Sequence, residues 1–236
     1  MNITARIAGV HVRDHRSVLA DAEKRALVWM ARRLPARINS DHLSVLGLAA
    51  MLAAGLSFAA FRVTPWAALA LVASLVANWF GDSLDGTLAR VRGHERPRYG
   101  FYVDHVIDLA GTSFLIGGLA CAGLMTPVVA AALLAAYLLV SAESYLAAHT
   151  AGVFRMAFLG FGPTELRIVL AIGALKVART PWVSMGDIGS FLLFDIGAIV
   201  AATGMAAAFV VAAVKNTSAL YTAEPCPARA SRSEAA

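Results

Sequence analysis

Asp82-Ser83-Leu84-Asp85-Gly86-Thr87-Leu88-Ala89-Arg90, followed after a short gap by Gly100-Phe101-Tyr102-Val103-Asp104-His105-Val106-Ile107-Asp108, is the stretch that organises the rest of this chain. On a helix, Asp82 and Asp85 are three residues apart and share a face, and Gly86 and Ala89 lie on the same face. Asp104 and Asp108 are four apart, with Gly100 four residues earlier, so a second helix carries its own acidic face beside a small residue. Residues 91–99 between them are few, and helices joined by so short a connection are usually antiparallel neighbours. All four carboxylates are therefore expected to meet at one end of a helix pair.

Composition says what surrounds that pair. Of 236 residues, 59% are hydrophobic and only 15% charged, and the mean hydropathy is +0.68. That is too little polar surface to cover a soluble globule, whereas lipid solvates an apolar exterior. A spanning helix needs about 20 mainly apolar residues. Runs that meet or approach this fall at about residues 43–61, 65–90 (apolar to Phe80, then polar), 100–124, 127–149, 164–177 and 191–214. The fifth is short and holds Arg167. Before the first run, Leu19, Ala22, Ala26, Met30 and Leu34 recur every three or four residues, and Pro35 follows. This is the pattern of an amphipathic helix lying on a membrane surface, or of an ordinary solvated helix. The expected fold is an all-α integral membrane protein with six transmembrane helices and an N-terminal amphipathic interfacial helix. Its organisation is an N-terminal segment over residues 1–42, a transmembrane catalytic domain over 43–215 and a disordered tail over 216–236.

Charge placement gives the orientation. The formal net charge is +5, and residues 1–40 hold Arg6, Arg13, Arg16, Lys24, Arg25, Arg32, Arg33 and Arg37. A basic segment of this kind can bind nucleic acid, but beside membrane spans it reads as a cytoplasmic flank facing anionic lipid, so membrane lipid and not nucleic acid is the expected partner. With six spans, this flank, residues 90–98, Arg155 and Lys215 fall on one side, against Arg62, Lys176 and Arg179 on the other. Both termini and the aspartates are thus expected on the cytoplasmic side of a multi-pass protein, and the expected location is a bacterial inner membrane. Cys121 and Cys226 form neither a metal motif nor a disulfide pattern.

An Asp at the centre of a spanning helix costs roughly 2.5–3.5 kcal/mol on insertion scales, so four unpaired ones would cost on the order of 10 kcal/mol if deep. Repulsion between them adds to this, and cations relieve it. Carboxylates without Cys or His suit Mg²⁺, Mn²⁺ or Ca²⁺ rather than zinc. Two divalent ions would balance the four charges. Gly86, Ala89 and Gly100 remove bulk beside the acids, which serves either close helix packing or the approach of a flat ligand to the backbone. Mg²⁺ beside such a pocket suits a diphosphate substrate.

These residues resemble the signature of the CDP-alcohol phosphotransferases, Asp-x-x-Asp-Gly-x-x-Ala-Arg, a gap, then Gly-x-x-x-Asp-x-x-x-Asp. All eight fixed positions are filled, by Asp82, Asp85, Gly86, Ala89, Arg90, Gly100, Asp104 and Asp108. The motif spans 27 residues, and its gap holds nine residues where the usual pattern has eight. The resemblance implies an enzyme in which a CDP-linked lipid or alcohol donor is attacked by an acceptor alcohol and CMP leaves. Its most direct form is phosphatidyl transfer from CDP-diacylglycerol in phospholipid biosynthesis. It further implies that Asp82, Asp85, Asp104 and Asp108 ligate two ions of Mg²⁺ or Mn²⁺, with Asp108 also the general base. Gly86, Ala89, Arg90 and Gly100 would bind the nucleotide, and the protein would be a homodimer.

The acceptor is less constrained. Arg92, Arg96 and Arg98 suit either an acceptor phosphate or the positive-inside rule. His105 after Asp104 resembles aminoalcohol-type members, which use CDP-choline or CDP-ethanolamine with diacylglycerol. Arg155 and Arg167 are candidates for acceptor binding, although Arg167, in Gly162-Pro163-Thr164-Glu165-Leu166-Arg167, also suits a snorkelling residue near a helix start. Glu143 is either functional or paired with Arg155 or Arg167, and Asn78, one turn before Asp82, is a further polar candidate. Two other classes fit less well. An intramembrane prenyltransferase separates its acidic motifs widely. A cation transporter needs carboxylates at mid-membrane, not the small residues found here at fixed spacings.

Overall fold

The computed structural model describes residues 20–64, 66–151 and 163–224. Seven α-helices follow in order: α1 (Ala20–Ala31), α2 (Ser40–Ala59), α3 (Ala67–Arg92), α4 (Pro97–Cys121), α5 (Pro127–Ala151), α6 (Pro163–Val177) and α7 (Leu193–Ala223). Five of them are long and apolar enough to cross a membrane, namely α2 with the turn that extends it to Arg62, α3, α4, α5 and α7. The expected fifth span, α6, is a helix of 15 residues among the described residues. At about 1.5 Å per residue it reaches roughly 22 Å, short of the ~30 Å of a bilayer core.

Local chemistry sets the ends that matter for the site. Asn39 caps α2, its side chain accepting from the His42 amide at 2.9 Å while its own amide donates to His42 Nδ1 at 3.3 Å. At the end of α3, Gly93 adopts φ 65°. The amides of Gly93 and His94 then bond back to the Arg90 and Ala89 carbonyls at 3.2 and 2.9 Å, a Schellman closure that suits glycine. Pro97 opens α4 at a position where its missing N–H costs nothing. The turn between them is therefore only residues 93–96, and Gly100 to Asp108 lie wholly within α4.

Helix α2 packs along both α3 and α4, and glycines let it do so. A Cβ on Gly81 would sit 2.6 Å from the Leu43 carbonyl oxygen and 2.7 Å from the Gly47 nitrogen. A Cβ on Gly118 would overlap the carbonyl oxygen of Gly55, and one on Gly55 that of Phe114. Such backbone-to-backbone approach is the usual basis of tight helix association in lipid. Phe58, Leu71, Leu75, Leu115 and Leu119 fill the core around this crossing. Leu27 and Ala31 of α1 form a second cluster with Leu43, Leu84 and Leu88.

Two expectations change. The last long helix was expected from Phe191, but Ser190–Leu192 form a strand antiparallel to Trp182–Ser184, pairing Phe191 with Val183, and the helix starts at Leu193. This hairpin is the one β element among the described residues. The tail was expected to be disordered from residue 216, yet α7 continues to Ala223. Residues 216–223 contain no Gly or Pro, so a helix already nucleated propagates through them. It ends where Pro225 in the sequence disfavours a helical Glu224, which has φ −125° and ψ 73°. At the other end of α7, Asp195 accepts from the amide and hydroxyl of Thr126 at 2.7 and 2.6 Å, and so ties down the start of α5.

The glycine crossings give a direct test of the packing. Gly118→Ala, which forces backbone apart, is expected to cost about 1–3 kcal/mol and to lower the unfolding midpoint in detergent by several degrees. Gly204→Ala on α7, with open space around it among the described residues, should leave the midpoint unchanged or slightly raised.

Candidate metal and diphosphate site

Asp82 and Asp85 project from the polar end of α3, and Asp104 and Asp108 from the start of α4. The antiparallel turn brings three of the four together. Oxygens of Asp82, Asp104 and Asp108 lie within 4.8 Å of one another, all on half-buried side chains. Three hard oxygen donors at this spacing suit a divalent cation such as Mg²⁺ or Mn²⁺, so the residues present fit the expected metal.

Asp85 stands differently. Its Oδ2 accepts from Ser44 Oγ at 2.6 Å, its other oxygen from the Gly86 amide, and Ser40 Oγ donates to its carbonyl at 2.9 Å. Helix α2 thus supplies two hydroxyls that hold Asp85 and the backbone beside it. The Ser40–Ser44–Gly47 spacing is a legible helical stripe, but nothing in the sequence pairs it with Asp85.

Asp82 is ion-paired with Arg167 of α6. The guanidinium is held from behind, with Nε donating to Asn78 Oδ1 at 2.8 Å and Asn78 Nδ2 donating to the Gly47 carbonyl at 3.1 Å. Asn78 is buried, so this chain of bonds fixes Arg167 against the acidic cluster. The expected alternative, a pair between Glu143 and Arg167, is not formed. Glu143 instead accepts from Asn216 Nδ2 of α7 at 2.6 Å. Arg155 lies outside the described residues.

The two uses of small residues separate cleanly. Gly47, Gly55, Gly81 and Gly118 touch neighbouring backbone, whereas among the described residues the nearest atoms to a Cβ on Gly86 are those of the Arg90 guanidinium, at 3.4 Å. A Cβ on Gly100 would meet nothing within 4 Å among the described residues. Among the described residues packing does not account for glycine at these two positions, which leaves room there for a ligand. Arg90, beside Gly86, donates to Thr87 Oγ1 at 3.1 Å.

Two of the three linker arginines, Arg92 and Arg96, are occupied structurally. Arg92 reaches the carbonyls of Leu34 and Pro35 at 2.9 and 3.0 Å, and also that of Ile38. Arg96 pairs with Asp41 and covers the Tyr99 ring at 4.0 Å. His105 is buried between the rings of Phe101 and Tyr145, at 4.0 and 4.7 Å, with Nδ1 facing the Phe101 carbonyl. It belongs to the packing of α4 on α5. Helical periodicity places Glu23 only among the polar residues of α1 and gives it no partner. Glu23 accepts from Trp79 Nε1 at 2.7 Å and from Thr164 Oγ1 at 2.9 Å, joining α1, α3 and α6.

No protein-family model matches the chain, and no curated protein matches it by sequence. Among solved structures it is similar to the Mycobacterium tuberculosis phosphatidylinositol phosphate synthase crystallised with CDP-DAG bound. The match has a TM-score of 0.51 and covers 88% of this chain and 98% of that one. The two chains share one fold. At 21% identity the likeness is one of architecture, and it extends over the whole bundle and not only the acidic helix pair.

Manganese titration of the purified protein, followed by the loss of free-ion electron paramagnetic resonance, tests the cluster. Asp82→Asn, Asp104→Asn and Asp108→Asn should each weaken binding by about tenfold or more, as loss of one ionic ligand requires. Arg167→Gln has the opposite expected sign. Removing a cation bonded to Asp82 removes repulsion toward the incoming ion, so binding should tighten several-fold.

Proposed function

We propose that this chain is a CDP-alcohol phosphotransferase, a multi-pass membrane enzyme that transfers the phosphatidyl group of CDP-diacylglycerol to an acceptor alcohol and releases CMP. The observation that carries this reading is the meeting of Asp82, Asp104 and Asp108 at one point beside Gly86 and Gly100. The eight-residue signature and the fold shared with a synthase crystallised with CDP-DAG support it.

In this reading the acidic cluster would hold divalent cations, two when the site is fully loaded, which would supply positive charge to the donor's diphosphate. The carboxylates of Asp82, Asp104 and Asp108 hold them, with Asp85, oriented by Ser44, completing the set. Gly86, Ala89 and Gly100 let the cytidine lie close to the backbone, and Arg90 faces the diphosphate. The acceptor oxygen attacks the lipid-side phosphorus, the bond from that phosphorus to the CMP oxygen breaks, and a phosphodiester forms. Asp108 takes the proton that the acceptor hydroxyl loses. Arg167, and with it Arg155, would bind the acceptor where it carries a phosphate. The site faces the cytoplasm, and the working unit is a homodimer.

Purified protein with Mg²⁺ and CDP-diacylglycerol, given a panel of alcohols that includes glycerol phosphate, inositol phosphate and serine, should release CMP with at least one of them. A parallel arm with CDP-choline or CDP-ethanolamine and diacylglycerol distinguishes the aminoalcohol class. Asp108→Asn should reduce turnover by at least about a thousandfold while leaving the unfolding midpoint in place, in line with loss of a general base and metal ligand. No CMP from any pair would count against the reading.

A further inference from the structure

Helix α1 turns one face into the bundle. Leu27 and Ala31 are buried against Leu43, Leu84 and Leu88, and Glu23 bonds to Trp79 and Thr164. These contacts set its height. Leu84 and Leu88 lie just beyond Phe80, where the apolar run of α3 gives way to Asp82, Asp85 and Arg90. Helix α1 therefore sits level with the polar end of a helix long enough to span a bilayer.

The opposite face is of another kind. Lys24, Arg25, Val28, Trp29, Arg32 and Arg33 line a groove of about 350 Å³. The Arg33 guanidinium stacks 4.0 Å from the Trp29 ring, which is itself 57% exposed. Among the described residues no carboxylate is ion-paired with any of these four cations. At the head-group level of a membrane the same set is complementary to its surroundings. Indoles favour that layer, and clustered Lys and Arg are drawn to anionic lipid.

We propose that this groove binds the head group of an anionic phospholipid from the surrounding leaflet. Lys24, Arg25, Arg32 and Arg33 meet the phosphate, and Trp29 and Val28 lie against the glycerol and first methylenes. The groove shares no residue with the acidic cluster, so the inference is independent of the transferase reading. Each cation is expected to strengthen the association by about fivefold at low ionic strength, an effect that salt screens.

Trp29 supplies the probe. The full-length protein is placed in nanodiscs of phosphatidylcholine and phosphatidylglycerol, with one or the other lipid dibrominated close to the glycerol. The Trp29 signal is taken as wild type minus Trp29→Phe. Quenching should be at least about twofold stronger when bromine is on phosphatidylglycerol at equal mole fraction. This ratio should fall toward one in 0.5 M salt and in the Lys24→Gln/Arg25→Gln/Arg32→Gln/Arg33→Gln variant. Arg25→Lys/Arg32→Lys/Arg33→Lys keeps the charge and should keep a ratio above one, which guards against misfolding of the neutral variant. Equal quenching by the two lipids, no quenching by either, or a preference that survives neutralisation would overturn the proposal.

Discussion

Repulsion among Asp82, Asp104 and Asp108 is the constraint on which the site's design turns. Carboxylates within 4.8 Å of one another, in a chain with only 15% charged residues, cannot persist without compensation. The fold supplies it from several directions. Arg167 comes from α6, with Asn78 and the Gly47 carbonyl holding it in line. Ser40 and Ser44 come from α2 and steady Asp85. What remains is a set of oxygen donors suited to a divalent cation. The acidic pair of helices and the helices around them are therefore one electrostatic unit.

Close packing makes that unit possible. Ser44 reaches Asp85 only because α2 approaches α3 where Gly47 and Gly81 meet, and the same α2 crosses α4 at Gly55 and Gly118. Larger side chains at these crossings would separate the helices and pull the hydroxyls away from the carboxylate. The Schellman turn at Gly93 acts in the same way on α3 and α4, reversing the chain within residues 93–96. Glycine thus serves in two capacities here, bringing backbones together within the bundle and leaving space at Gly86 and Gly100 beside the acids.

Much of this was legible in the residues. Three- and four-residue spacings placed the aspartates on two helical faces, and the short linker brings Asp82, Asp104 and Asp108 together, although α3 and α4 each pack mainly on α2 and not on one another. Apolar run lengths located the five long helices, while the fifth run, residues 164–177, is a shorter helix. What could not be read were partners distant in sequence. Asp82 and Arg167 are 85 residues apart, Glu143 and Asn216 are 73 apart, and Glu23 and Thr164 are 141 apart. Helical periodicity carries no information about such pairs. The extension of α7 past residue 216 was missed because polar composition was read as disorder, although no residue before Pro225 stops the helix.

The central claim is that the acidic cluster is a divalent-cation site, and locating the ion tests it most directly. Crystals of the protein grown with Mn²⁺ and measured near the manganese absorption edge should show an anomalous peak bounded by Asp82, Asp104 and Asp108. That peak should be lost in Asp104→Asn. A peak elsewhere in the bundle, or an Asp104→Asn crystal with the peak unchanged, would contradict the account.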